Sequence, residues 1–243
     1  ASMPKFAHLP LLLKPDGNGK LSKRDGDRLG FPVFPLEWTD PKTNEVSSGY
    51  KQKGYLPESV FNMLAFLGWN PGTEQEIFSK NELIEAFSIE HIHKAGAKFD
   101  FEKAKWFNAE YIKKLTEEAL AVLVKDLVTA KFGEQESDYL VKAAGLVKER
   151  LVFINDIEHF GYLFQATEKY DTASLAKINN IKDQFDTDAF DNLLQQFSEA
   201  DGAVIETALK DFAAANNIKT GDMMKFLRVG LVGELSGPAI HDL

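Results

Sequence analysis

The hydrophobic period of this chain changes after Gly54, and that change restricts its fold more than any other feature. Beyond it Pro57 takes a first-turn position, Val60, Phe61, Leu64 and Leu67 recur at helical spacing, and Gly68 supplies a stop. This predicts a helix over about 57–67. Ser79-Lys-Asn-Glu82 has the spacing of a capping box ahead of Leu83, Ile84 and Phe87, and Asn108 is a candidate cap for a short helix holding Tyr111 and Ile112. Thr116, followed by Glu117 and Glu118, opens a long amphipathic helix through Leu120, Leu123, Leu127 and Val128 that Lys131 and Gly133 close. Ser137 opens the next, with Leu140, Val141, Ala144, Val147, Leu151 and Ile154 as its apolar stripe. Patterns of the same kind at about 157–169, 187–197, 200–215 and 220–230 complete a back half expected to be one helical bundle or two small ones. No repeat of solenoid period runs through it.

The front of the chain obeys different rules. From Met3 to about Asn44 it is rich in Pro and Gly, with short apolar stretches at 11–13 and 31–36, and the expectation is loops and short strands without helix. Residues 40–49 form a polar turn cluster, expected to be an exposed insertion without chemistry.

Composition narrows the function. With 243 residues, 44% of them hydrophobic, the chain can bury sizeable cores, as one large domain or as two to three small ones. The absence of cysteine removes disulfides, thiolate zinc sites and cysteine nucleophiles, and cytoplasmic residence is the simplest expectation. No apolar run approaches the roughly 18–20 residues of a membrane span, and the first ten residues lack the layout of a signal peptide. A net charge of −9 argues against a protein that coats nucleic acid indiscriminately. The charge is uneven, however. Residues 1–28 carry Lys5, Lys14, Lys20, Lys23, Arg24 and Arg28 against three acids, whereas residues 155–243 carry 15 acids against seven bases. A polyanion would therefore be gripped through the front of the chain and a few chosen basic residues further on.

One stretch concentrates chemistry. Residues 17–25, Gly-Asn-Gly-Lys-Leu-Ser-Lys-Arg-Asp, combine two glycines, three cations and a hydroxyl, a set suited to wrapping phosphate oxygens. The same composition also fits a solvated basic turn. It is not a Walker loop, because that motif would need a glycine where Lys14 stands.

Lys20-Leu21-Ser22-Lys23-Arg24, preceded by Phe6-Ala-His-Leu-Pro10 and Leu12-Leu-Lys-Pro15, resembles the KMSKS-type loop of class I aminoacyl-tRNA synthetases in its glutamate-specific form. Gly54-Tyr-Leu-Pro-Glu58, Leu64-Ala-Phe-Leu-Gly-Trp69, Phe87-Ser88, Gly96-Ala-Lys-Phe-Asp100 and Trp106-Phe-Asn108 follow in that family's order. Leu227-Arg-Val-Gly-Leu-Val-Gly233 with Gly237-Pro238 resembles its closing segment, so the likeness to a bacterial-type glutamate-tRNA ligase spans nearly the whole chain.

The resemblance implies a mainly α fold: residues 1–30 as the irregular or β end of a catalytic domain, 31–113 as a small helical stem-contact region, then two helical anticodon-binding bundles at 114–170 and 171–243. It implies ATP binding by Lys20, Leu21, Ser22, Lys23 and Arg24, with Lys20 and Lys23 as the catalytic cations that stabilise charge on the phosphates. Arg150, Arg228, Gly237, Pro238 and Ile240 are implied to bind the anticodon, Gly237 through its backbone alone, since it has no side chain where the family pattern often has a hydroxyl-bearing one. Arg150 also fits a surface ion-pairing role. The implied partners are glutamate tRNA, ATP with magnesium, and glutamate, without zinc, DNA or membrane, on a monomer. The family's HIGH-type motif has no counterpart before Lys20, so the chain is expected to begin inside a catalytic domain and to be inactive by itself.

Other features of the chain admit other readings. His91 and His93 sit beside Lys94 in a loop-like stretch and are expected to be solvated or capping, with no metal site. Trp69 and Trp106 are expected in the core in preference to a base-stacking role. A glutamine-tRNA ligase shares the loop chemistry but is expected to read anticodons with β-barrels. A helical protein-interaction module would explain the amphipathic helices and leave residues 20–24 without purpose.

Overall fold

The computed structural model describes every residue except Ala1, Ser2, Pro4, Lys5, Ala7, Asn18, Phe185, 198–200, His241 and Asp242, and leaves the side chains of Lys23, Arg24, Asp27 and Lys182 undescribed. The fold is mainly α, with ten α-helices and two two-stranded sheets among the described residues. It divides into two compact units, residues 1–127 with 148–157 and residues 128–147 with 158–243.

The first unit opens with β1 (Leu12–Leu13) and α1 (Lys23–Leu29), continues through a hairpin of β2 (Trp38–Thr39) and β3 (Val46–Ser47), then α2 (Pro57–Phe66), α3 (Lys80–Ala86), β4 (Ala97–Lys98) and α4 (Phe101–Lys113), and takes in the first part of α5 (Glu117–Phe132). The helix at Lys23 corrects the expectation of a helix-free front. Ser22 and Asp25 explain it: the Ser22 hydroxyl accepts from the Asp25 N–H at 3.3 Å while the Asp25 carboxylate accepts from the Ser22 N–H at 3.0 Å, a reciprocal cap that nucleates one short helix. Of the insertion expected at 40–49, residues 41–46 are exposed at the end of the β2–β3 hairpin, where the Asp40 carboxylate accepts from the N–H groups of Lys42 (2.7 Å) and Thr43 (3.2 Å), whereas Gly49 is buried against the Leu36 backbone.

α2 starts at Pro57 as expected, but its buried residues are Ser59, Asn62 and Met63, while Phe61 and Leu64 are exposed. The helix turns a partly polar face inward because α4 offers polar partners. Asn108 is not a cap; it lies inside α4, whose N-cap is Asp100, with the carboxylate accepting from the Lys103 N–H at 3.0 Å. Fully buried, Asn108 accepts from the Leu56 N–H (2.8 Å) and the Ser59 hydroxyl (2.7 Å) and donates to the carbonyls of Gly54 (3.2 Å) and Val152 (2.6 Å). Around it Phe31, Tyr50, Met63, Phe99 and Phe107 form one core cluster, and Trp69, Phe78 and Leu83 another. Trp69 is core as expected, whereas Trp106 is 37% exposed and carries the Lys103 ammonium 3.9 Å from its ring centre.

The second unit holds the end of α5, then α6 (Ser137–Val147), α7 (Thr172–Ile178), α8 (Thr187–Leu194), α9 (Gly202–Ala215) and α10 (Thr220–Val232). Ile178, Phe190, Leu209, Ala213, Met223, Leu227 and Val229 are buried together as its core. The helix expected over 157–169 is a run of 3₁₀ turns across Ile154–Leu163 with a break at Phe160. Gly161 follows the break and lies against the Phe132 ring, where an added Cβ would come within 3.0 Å, so close packing and a locally unwound backbone replace a regular helix. Leu123, assigned to the apolar stripe of α5, is 44% exposed; the buried positions are Leu120, Ala121, Val124 and Val128.

Candidate functional site

The cation-rich loop hangs from β1. After Leu13 the chain turns back, with the Gly17 N–H donating to the Lys14 carbonyl at 2.8 Å and the Lys14 N–H to the Gly19 carbonyl at 3.1 Å. Gly17 and Gly19 take φ of 77° and 87°, which side-chain-bearing residues rarely adopt. The return limb pairs Lys20 with Leu13 in an antiparallel bridge, and the Leu21 N–H donates to the Leu12 carbonyl at 2.8 Å. On its other side β1 pairs in parallel with β4, Leu12 opposite Ala97 and Leu13 opposite Lys98. Gly96 permits that pairing, since a Cβ there would meet the Leu13 side chain at 2.8 Å.

Asp25 braces the loop from below. It is 7% exposed and accepts from the Ser22 hydroxyl at 2.6 Å, with Lys14 Nζ and Arg28 Nη2 each 3.2 Å from its second oxygen. The Ser22 hydroxyl first, then the Ser22 N–H and the Lys14 ammonium, hold its carboxyl well below the usual carboxylate range. Lys14 and Arg28 are thereby committed to an internal carboxylate, and Ser22 is fixed as a cap. Lys20 is exposed. Lys23 and Arg24 form the first turn of α1, and their side chains lie outside the described ones. Sequence reasoning missed Lys14, Asp25 and Lys98. The Ser22-x-x-Asp25 spacing was readable as a cap; the pairing of Lys98 with Leu13, 85 positions apart, was not.

The other expected site residues occupy both units. Arg150, exposed, ends the 3₁₀ turn Lys148–Arg150 in the first unit. Arg228 lies half-buried on α10 in the second, and its Nη1 donates to the Pro238 carbonyl. Gly237 has φ 143°, and a Cβ there would stand 3.4 Å from Arg228 Nη1. Pro238 is buried, and Ile240 belongs to the second unit's core. Arg228 therefore pins the segment that carries the other three residues. His91 and His93 are exposed, and no group of three or more His, Asp or Glu among the described residues is placed to hold a metal ion.

A lysine-bearing loop braced on a short strand, followed by small helical bundles, fits the class I aminoacyl-tRNA synthetases. Comparison with known proteins agrees. The family model described as tRNA synthetases class I (E and Q), catalytic domain, matches residues 1–106, and that described as anticodon binding domain matches residues 101–243. The chain is 48% identical to the glutamate–tRNA ligase of Phocaeicola vulgatus over 255 residues and 45% identical to that of Porphyromonas gingivalis over 243, covering all of this chain and 48% of each relative. A solved structure of a glutamate tRNA ligase from Elizabethkingia meningosepticum in complex with its amino acid superposes with a TM-score of 0.86 at 41% identity, over 99% of this chain and 48% of that one. The chain belongs to the bacterial glutamate–tRNA ligase family, and it spans about half the length of the relatives it matches.

Proposed function

We propose that this chain is the tRNA-binding part of an enzyme that joins glutamate to its tRNA through an ATP-derived glutamyl-adenylate. The match of the anticodon binding domain over residues 101–243 carries the reading, supported by the loop at 17–25. In the whole enzyme the glutamate carboxylate attacks the α-phosphorus of ATP, pyrophosphate leaves, and the terminal ribose of the tRNA then displaces AMP from the adenylate. Lys20 and Lys23 stabilise the charge that builds on the phosphate oxygens, with Leu21, Ser22 and Arg24 completing the ATP-binding loop. Ser22 does so from its place as the cap of α1. ATP brings magnesium with it, and the reaction uses no zinc.

Residues 31–113 rest on the tRNA stem, and the regions 114–170 and 171–243 read the anticodon. Splayed single-stranded bases can be read at their edges by a few placed groups, so an acidic surface is no obstacle. Arg150 and Arg228 supply the cationic donors, and Gly237, Pro238 and Ile240 shape the pocket, their backbone held by Arg228. The enzyme acts as a cytoplasmic monomer, and the 243-residue chain alone forms no adenylate. No described helix is long and apolar enough to cross a membrane.

Equilibrium binding at fixed moderate salt tests this, using glutamate tRNA, the same tRNA with its third anticodon base changed, and an unrelated tRNA. The expected result is at least tenfold preference for the first, about 1.4 kcal/mol, lost in Arg150→Ala and in Arg228→Ala. Equal, weak binding to all three would remove the anticodon-reading role.

A further inference from the structure

We propose that Lys98 is a further phosphate-binding side chain, acting beside Lys20 on the triphosphate of ATP; the inference rests on the ligase function proposed above. Leu13 is the common neighbour of the two lysines, bridged to Lys20 on one side and in register with Lys98 on the other. Residues directly opposite in a ladder place their side chains on the same face of the sheet. Lys20 and Lys98 therefore flank Leu13 on one face, their backbones about 10 Å apart at the usual spacing of two strand intervals. Two four-carbon stems can converge on one polyphosphate across that distance.

The position of the Lys98 side chain strengthens the assignment. Its Cε and Nζ lie 2.6 and 3.0 Å from where a Cβ on Gly17 would stand, so the ammonium rests over the turn of the loop. The glycine leaves the space that the lysine fills. Charge accounting points the same way: Asp25 takes Lys14 and Arg28, whereas Lys98 is exposed and makes no ion pair with any described carboxylate, Asp16 of the same turn included. Among the described cationic side chains of the loop, Lys20 and Lys98 are thus left to face an incoming anion. A phosphate chain, with several anionic oxygens in a row, is the ligand class that two such cations suit.

The test measures glutamate charging by the full-length enzyme, with ATP and tRNA varied separately, for Lys98→Met, Lys98→Arg, Gly17→Ala and the control Lys94→Met. Lys98→Met is expected to lower kcat/KM for ATP at least tenfold and to leave KM for tRNA within twofold. Lys98→Arg should recover most of the loss. Gly17→Ala keeps the lysine but displaces its ammonium and strains the loop at φ 77°, so it should lower kcat/KM for ATP as well. Lys94→Met should match the unaltered enzyme. A change confined to KM for tRNA, or none beyond that of Lys94→Met, overturns the proposal; an unaltered enzyme that charges no glutamate tRNA overturns instead the function beneath it. Calorimetric titration of the 243-residue chain with inorganic tripolyphosphate at low salt gives a readout without turnover. At least threefold weaker binding by Lys98→Met is expected, and equal affinity would refute the assignment.

Discussion

Asn108, fully buried, ties separate stretches of the first unit together. Both lone-pair directions of its oxygen and both amide hydrogens are used, and its four partners come from three separated stretches: 54–56, Ser59 and Val152. Removing a side chain of this kind leaves buried donors and acceptors without water or partner, which costs more than the bonds themselves contribute. Asn108→Ala is expected to lose about 3 kcal/mol, read as a lowered urea midpoint with an unchanged slope. The tyrosines nearby set an alkaline limit. Burial pushes the Tyr55 and Tyr111 hydroxyls up to about 12, with the charge of Glu102 adding to the effect at Tyr55 and those of Glu58 and Glu82 at Tyr111. An unfolded tyrosine ionises near 10, so the stability these two contribute is complete below about pH 10 and is lost as pH rises through 12. Absorbance titration should show both ionising well above pH 10, together with loss of helical circular dichroism. All six tyrosines titrating by about pH 10.5 in an intact fold would contradict this.

At the scale of elements, the ends of helices were more legible than their faces. The box at Ser79 is present as read: the Ser79 hydroxyl accepts from the Glu82 N–H at 3.2 Å, and the Glu82 carboxylate from the Ser79 N–H at 2.6 Å. That N–H, then the hydroxyl, hold the Glu82 carboxyl below its ordinary value. Ser79→Ala should cost about 1 kcal/mol in urea unfolding and Ser79→Asp much less, because aspartate caps nearly as well. Faces were misread where the partner is polar. In α2 the spacing of Phe61 and Leu64 suits a core, yet these side chains line an open groove of about 680 Å³ with Leu36, Leu123 and Leu127, while Ser59 and Asn62 go inside. Asn62 does so because its oxygen accepts from the Phe78 N–H at 2.8 Å and lies 2.8 Å from the Tyr111 hydroxyl. Periodicity reports how much apolar surface a helix has, and says nothing of a neighbour that supplies hydrogen bonds.

For the molecule as a whole, the sequence determined the mainly helical class, the stops at Gly68 and Gly133, the cap at Ser79, the burial of Trp69 and the cation-rich loop, all consequences of residues within a turn or two of one another. Its motifs also carried the family. Tertiary structure alone decided that residues 148–157 join the first unit while 128–147 join the second, that Asn108 is a hub, that Arg228 is tied to the Pro238 carbonyl, and that Lys98 stands beside the loop. Each of these depends on contacts between residues far apart in the chain, formed only when burial brings their segments together. Local spacing fixes backbone preference, but which charge is neutralised and which remains for a ligand follows from distance in space.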